Sequence, residues 1–187
     1  MRGCYVVINP TDRKLKPMKD LGKLTIRGNL RKARVFDVDE ALTLVNSYAG
    51  SNLLLPRGPK YFYENIRDFV VVEVLGERVE PKIVACGSLH VLWEDIAEIR
   101  TLAVHPQFQR RGMGSKIVQH LTEEARQMGI EKVFVLTQDV EFFKKRGFKP
   151  KTREELPRKI WAECIQCPKY FKCDETGLVF DTHVQSD

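Results

Sequence analysis

The chain has 187 residues and a formal charge of +6, with 43% hydrophobic and 30% charged residues. That length supports one full core but not two ordinary domains, and the composition excludes a disordered chain. No apolar run approaches the roughly 20 residues of a membrane helix, and the stretch Tyr5–Ile8 is too short for a signal peptide, so a cytoplasmic protein without a membrane partner is expected.

Residues 1–23 read as an N-terminal extension, with a strand over Cys4–Ile8 followed by a polar, lysine-rich loop. Two short strands are expected within Leu24–Phe36. A helix starts at Asp37, with Glu40 completing a capping box; Ala41, Leu42, Val45 and Tyr48 form its apolar face, and Gly50 ends it. Phe69–Leu75, Ile83–Trp93 and Ile96–Val104 are three strands with short connections, which predicts an antiparallel meander. Gly112–Met128 is a helix whose apolar face holds Ile117, Val118, Leu121, Ala125 and Met128, and Gly129 stops it. Lys132–Leu136 is a short buried strand, and Val140–Arg146 a short helix stopped by Gly147. Strand, helix and strand in this order make a βαβ unit, so Ile96–Val104 and Lys132–Leu136 should be parallel neighbours. After Thr152, which can form a capping box with Glu155, a helix over Arg158–Ile165 and a weak strand at Leu178–Phe180 are expected. The fold class is therefore α/β, of α+β character: a mixed sheet with a meander and a βαβ unit. The main domain spans residues 24–150, and a cysteine-containing tail, 151–187, packs on it.

The run Ile99–Val118 carries the chemistry. A strand enters a turn at His105-Pro106, then Gln109-Arg110-Arg111-Gly112-Met113-Gly114, and a helix begins. Gly112 and Gly114 let the backbone approach a ligand closely. The first amides of the helix have no intrahelical partners and lie at the positive end of its dipole, which makes an anion site. Arg110, Arg111 and Lys116 add charge, so a diphosphate is the natural guest. The glycine spacing fits neither G-x-G-x-x-G nor G-x-x-x-x-G-K-S/T. A second basic cluster, Lys144, Lys145, Arg146, Lys149, Lys151 and Arg153, is either a solvated face or the other side of a polyphosphate pocket.

This string resembles the acetyl-CoA signature of the GNAT acetyltransferases, Q/R-x-x-G-x-G/A after a strand ending in L-A-V-H-P. Phe142-Phe143-Lys144-Lys145-Arg146-Gly147-Phe148 is similar to the family's last helix and its "GF" turn. The resemblance implies a GNAT fold and acetyl-CoA as co-substrate. The amides from Gln109 to Ser115, including those of Arg110, Arg111, Gly112, Met113 and Gly114, would hold the pyrophosphate. The main chain of Leu102, Ala103 and Val104 would pair with the pantetheine arm like an added strand, where the strand splays from its neighbour. The Leu102 amide, or that of Val104, would stabilise the oxyanion of a tetrahedral intermediate. Phe143, also placed against the cofactor, stands where many members carry a tyrosine acid, so tyrosine-based protonation of the thiolate at that position is not expected. Glu98 resembles the family's base, acting directly or through water, with Glu94 and Asp95 as alternatives.

One branch is more similar, the short N-acetylglutamate synthases. Leu54-Leu55-Pro56-Arg57 resembles L-x-P-R-S with Gly58 in place of serine, and Glu98–Val104 resembles E-I/V-R-S/T-L-A-V. Leu156-Pro157 with Lys159 is similar to an L-P-x-x-K tail one residue short. Glutamate's two carboxylates suit guanidinium grips, and the resemblance gives Arg57 and Arg100 that role, with Lys159 behind them. The amino-acid-kinase-like domain of longer synthases has no counterpart, so arginine feedback through one is not expected. The partners are then acetyl-CoA and a small-molecule amine, with no nucleic acid; a homodimer is allowed. Another amine acceptor (a polyamine, a drug or a protein N-terminus) and a non-catalytic acetyl-CoA sensor are the alternatives. A nucleic-acid module lacks any recognisable reading element.

The five cysteines are an odd number, which disfavours a secreted disulfide framework. Cys164, Cys167, Cys173 and His183 are zinc-ligand types, but their spacing matches no common finger. Reduced cysteines packing a terminal hairpin, with no metal, is the expectation.

Overall fold

The structure, a computed structural model, describes residues 6–7, 28–49, 57–76, 79–152, 154–156 and 173–183. The helix expected over Arg158–Ile165, together with Lys159, Cys164 and Cys167, lies outside them. Among the described residues eight strands form one sheet: β1 (Val6–Val7), β2 (Gly28–Lys32), β3 (Phe69–Gly76), β4 (Val79–Val91), β5 (Ile96–Val104), β6 (Lys132–Thr137), β7 (Lys149–Lys151) and β8 (Thr176–Asp181). Four α-helices accompany them among the described residues: α1 (Val38–Ala49), α2 (Pro59–Glu64), α3 (Met113–Gln127) and α4 (Val140–Lys144). The order is β2-β3-β4-β5-β6-β8-β7, with β1 paired to β5 outside this path. From β2 to β5 the sheet is an antiparallel meander; β5 and β6 are parallel, joined through α3. Among the described residues no helix is long and apolar enough to cross a membrane.

Both faces of the sheet are covered, so β3 reads as a continuous apolar run rather than an alternating one. Val70, Val72 and Val74 pack with Ile99, Leu102, Ile117 and Leu121 under α3. Phe69 and Val71 face the other way, into a cluster with Val38, Ala41, Val45, Tyr48 and Phe62 of α1 and α2. The two layers thus clamp β4 and β5, and the strand that carries the proposed site is fixed from both sides.

Two expectations, the α1 cap and the place of Met128, need revision; the C-terminal strand is present and longer than expected, and one helix is new. The start of α1 is not capped by Asp37 and Glu40. A 3-10 turn, Val35–Asp37, precedes it, and Asp37 reaches back to the Arg34 amide at 2.6 Å and to the Arg31 guanidinium. Glu40 instead accepts from the Ile83 amide at 2.8 Å, tying α1 to β4. Met128 lies just beyond α3 and is 55% exposed, because the chain turns away at Gly129, φ +77°. The weak C-terminal strand is β8, an internal strand pairing β6 on one side and β7 on the other, with Leu178 wholly buried. Helix α2 was not expected at all; Pro59 at its first turn and buried Phe62 are the local and tertiary reasons it forms.

Candidate active site

The parallel pairing of β5 with β6 is short: Ile96, Ala97 and Glu98 oppose Lys132, Val133 and Phe134. Beyond Glu98 the two strands separate. At the same place β5 is irregular against β4. Ser88 opposes Arg100 and Cys86 opposes Ala103, so β5 carries one residue more than β4 over that span. The extra residue is Thr101, held at φ +55°. A β-branched residue there is strained by about 1–3 kcal/mol and persists only where its surroundings impose it. They do so here through carbonyl partners. Ser88 Oγ lies 3.1 Å from the Arg100 carbonyl, and the buried Cys86 thiol donates to that of Thr101. The bulge puts Leu102 on the α3 face beside Ile99 and Ala103 on the α1 face.

The edge of β5 that β6 leaves is paired with β1, Val6 to Leu102 and Val7 to Ala103, in parallel. This is the edge assigned to the pantetheine arm, so arm and β1 would compete for the same main-chain groups. Leu102, Ala103 and Val104 are all buried. The Val104 carbonyl accepts from the Tyr48 hydroxyl and from Gln109 Nε2, the latter at 3.3 Å. Gln109 therefore ties the strand end to the turn through its side chain.

After β5, Pro106–Phe108 forms a 3-10 turn, and the chain then passes through two left-handed residues, Arg110 (φ +59°) and Gly112 (φ +80°), before α3. The first intrahelical acceptor used is Gly112 O, by the Lys116 amide at 3.0 Å. Helix geometry leaves the Met113, Gly114 and Ser115 amides without such partners. A Cβ on Gly112 would meet nothing within 4 Å, whereas one on Gly114 would touch Phe142 and Val104 at 3.4–3.5 Å. These amides border a cavity of about 430 Å³ lined by Val104, Gln109, Gly112, Gly114, Phe142 and Arg146, among others. Arg146 stacks on the Phe142 ring at 3.4 Å and donates to Ser115 Oγ, while its buried Nε has no hydrogen-bond partner. Burial lowers the pKa of this guanidinium, an effect opposed by Asp139. Free helix amides, a cradle without Cβ and an orphaned cationic N–H together fit an anionic, diphosphate-like group. Arg110 and Arg111 are exposed, with Arg111 over the Phe108 ring. Phe143 does not reach the cavity: its ring is enclosed in the core against Phe148, and Phe142 is the lining residue.

On the α1–α2 face stands a second group of polar residues. Glu98 and Arg100 are buried and paired, Glu98 Oε2 receiving both Nε and Nη2 at 2.8 Å. Directly opposite Glu98 in register is His90. His90 Nδ1 lies 3.3 Å from Asp68 Oδ2, and Nε2 lies 2.9 Å from Ser88 Oγ and 3.2 Å from Tyr61 Oη. Arg57 stacks over the Tyr61 ring at 4.0 Å. Burial, then the charges of Arg100 and Arg57, push the His90 pKa down to about 3, so its imidazole is neutral. Arg57, Arg100 and Glu98 are thus brought together around His90. Arg146 comes from the second basic cluster, whereas nothing in the sequence reading points to Tyr61, Asp68, Ser88, His90 or Phe142 as site residues. Hairpin arithmetic could have found two of them: with Trp93–Asp95 as the turn and Leu92 facing Ile96, Ser88 and His90 fall opposite Arg100 and Glu98. Among the described residues no cluster of metal-ligand types occurs, and Cys173 is exposed.

The acetyltransferase (GNAT) family profile matches residues 44–148. An uncharacterised N-acetyltransferase of Chlorobaculum tepidum is 35% identical over 80% of this chain and 94% of its own length. An amino-acid acetyltransferase of Mycobacterium tuberculosis is 43% identical over 64% of this chain and 67% of its own length. Among solved structures, the N-acetylglutamate synthase of Neisseria gonorrhoeae complexed with coenzyme A and N-acetyl-glutamate superposes with a TM-score of 0.73 at 26% identity, over 84% of this chain. The chain spans only 36% of that synthase.

Proposed function

The chain belongs to the GNAT acetyltransferase family, and from that membership we propose that it acetylates the α-amine of L-glutamate, the first step of arginine biosynthesis. It is an N-acetyltransferase, and acetyl-CoA is its acyl donor. The acceptor is inferred from charge. Arg57 and Arg100 both stand close enough to His90 to depress its basicity, and two guanidiniums around one point suit a dicarboxylate rather than a polyamine. A relative named amino-acid acetyltransferase and a structural neighbour complexed with N-acetyl-glutamate support the same choice.

The roles follow from position. The amides of residues 113–115 and the Arg146 guanidinium hold the diphosphate, and Gln109 fixes the turn that presents them. The carrier supplies an activated acetyl thioester. The Leu102 amide, at the bulge, donates to the thioester oxygen as charge develops there. Glu98 holds Arg100 through its ion pair and so sets that guanidinium for the acceptor.

A thiol-release assay with acetyl-CoA across the twenty amino acids and several polyamines tests the proposal. Glutamate giving the largest kcat/KM is expected. A polyamine or neutral amino acid ranking first would refute the acceptor and leave the acyl donor untouched.

A further inference from the structure

Glu98 is a poor terminus for a proton. Its Oε2 receives two charge-assisted hydrogen bonds from Arg100, and such contacts favour the ionised carboxylate. An amine about to attack must nevertheless lose a proton. The neighbouring polar chain offers a path to the surface. Tyr61 Oη and His90 Nε2 are 3.2 Å apart, His90 Nδ1 and Asp68 Oδ2 are 3.3 Å apart, and the Asp68 side chain is 40% exposed. We propose that Tyr61, His90 and Asp68 form a proton relay serving the acceptor amine. This rests on the acceptor lying beside Arg57, which covers the Tyr61 ring.

The balance is as follows. The acceptor N–H proton passes to Tyr61 Oη, the Tyr61 O–H proton to His90 Nε2, and the His90 Nδ1–H proton to Asp68 Oδ2. Three bonds break and three form, and the imidazole is neutral before and after. That matters because Arg57, Arg100 and burial all oppose an imidazolium here. A ring that exchanges one proton for another in a concerted step escapes the penalty. Asp68 suits the end of the chain: burial, the leading influence on it, raises its pKa and so its proton affinity, with Glu124 acting the same way and Lys32 and Arg100 opposing. The return stroke runs the same bonds in reverse, with the departing thiolate taking the proton at Tyr61. It would supply the hydroxyl that Phe143, enclosed in the core, does not. The groups facing His90 are Tyr61 from α2, Arg57 from the segment before it, Asp68 from the turn after it, Ser88 from its own strand, and Glu98 and Arg100 from β5.

The test uses the full chain and whichever amine the wild-type protein acetylates fastest, so a wrong acceptor is read on the wild type and a wrong relay on the variants. Asp68→Asn removes the terminal acceptor at a half-exposed position. Its kcat at pH 7 should fall about a hundredfold, the low end for lost acid–base assistance, with the KM for acetyl-CoA within twofold of wild type. The deficit should shrink as pH rises and the acceptor ammonium loses its proton to solvent unaided, and Asp68→Glu should recover most of the rate. His90→Gln should show the same pH-dependent deficit. Should it fail to fold, the Asn and Glu variants at Asp68 decide alone. Wild-type kcat and an unshifted pH limb in Asp68→Asn would overturn the relay.

Discussion

Replacing Glu98 by Gln removes a charge from a pair that water barely reaches. The side chains of Glu98 and Arg100 are 3% and 8% exposed, and both bonded nitrogens meet one oxygen. Breaking a buried ion pair by neutralising one partner costs about 3–5 kcal/mol, because the other charge stays buried. The lower end applies, since the amide oxygen of Gln can still accept one of the two hydrogen bonds. A loss of about 3 kcal/mol in a chain of this size corresponds to a fall in Tm of roughly 6–12 °C. Urea unfolding followed by far-UV circular dichroism would show it as a lower midpoint at unchanged slope. The double variant Glu98→Gln, Arg100→Met removes the stranded charge and should regain much of the loss, so the two substitutions should be strongly non-additive. A single variant within 1 kcal/mol of wild type would refute the reasoning. The consequence reaches beyond stability: inactivity of Glu98→Gln does not by itself identify a base, since the same change releases Arg100.

Gly112→Ala should be folded but impaired. Its Cβ meets nothing within 4 Å, so the cost is that of φ +80°, about 1 kcal/mol; acetyl-CoA affinity, measured by calorimetry, should fall about tenfold because the new methyl group stands among the phosphate-facing amides. The Arg31, Asp37 and Glu73 network should make the protein acid-labile. Burial works to raise the Asp37 pKa, but hydrogen bonds from Arg31 and the Arg34 amide win and lower it, and Arg31 lowers that of Glu73. Groups depressed in the folded state stabilise it above their unfolded values of about 4 and lose that contribution as pH falls through the folded ones. The urea midpoint of the wild type should therefore drop between pH 6 and pH 3, and that of Asp37→Asn should start lower and drop less. Val6→Pro with Val7→Pro removes two amide donors from β1; if β1 competes for the edge of β5, the KM for acetyl-CoA should fall about fivefold, the value of one backbone hydrogen bond. An unchanged KM would mean that the arm and β1 do not meet.

The sequence exposed what periodicity and glycine placement encode. The meander, α3 and the turn at Gly112 are written in local patterns, and the structure places each within a few residues of the expectation. Contacts set by tertiary partners were not legible. Asp37 and Glu40 have the spacing of a capping box, yet buried Asp37 takes the charged Arg31 guanidinium and exposed Glu40 reaches across to the Ile83 amide of the neighbouring strand. Helix α2 has six residues, too few for an apolar period to show. The bulge leaves one faint mark: apolar and polar residues alternate from Ala97 to Arg100, and the adjoining polar pair Arg100-Thr101 breaks that period before Leu102.

That bulge is the feature from which the site's layout follows. In an unbroken strand Ile99 and Leu102 would point to opposite faces. Thr101 absorbs one residue and returns Leu102 to the α3 side, next to Ile99. Upstream, Glu98 and Arg100 remain on the α1–α2 side with His90, where charged groups gather. Downstream, the main chain of Leu102–Val104 runs straight to the phosphate-facing turn. The proposed acceptor and donor sites therefore lie on one strand, on either side of a single strained residue. The strain at Thr101 is held by Ser88 and Cys86, which sit on β4, the strand that also carries His90. A change in that hydrogen-bonding pair should thus disturb both halves of the reaction at once, whereas changes at Gly112 or Asp68 should disturb only one.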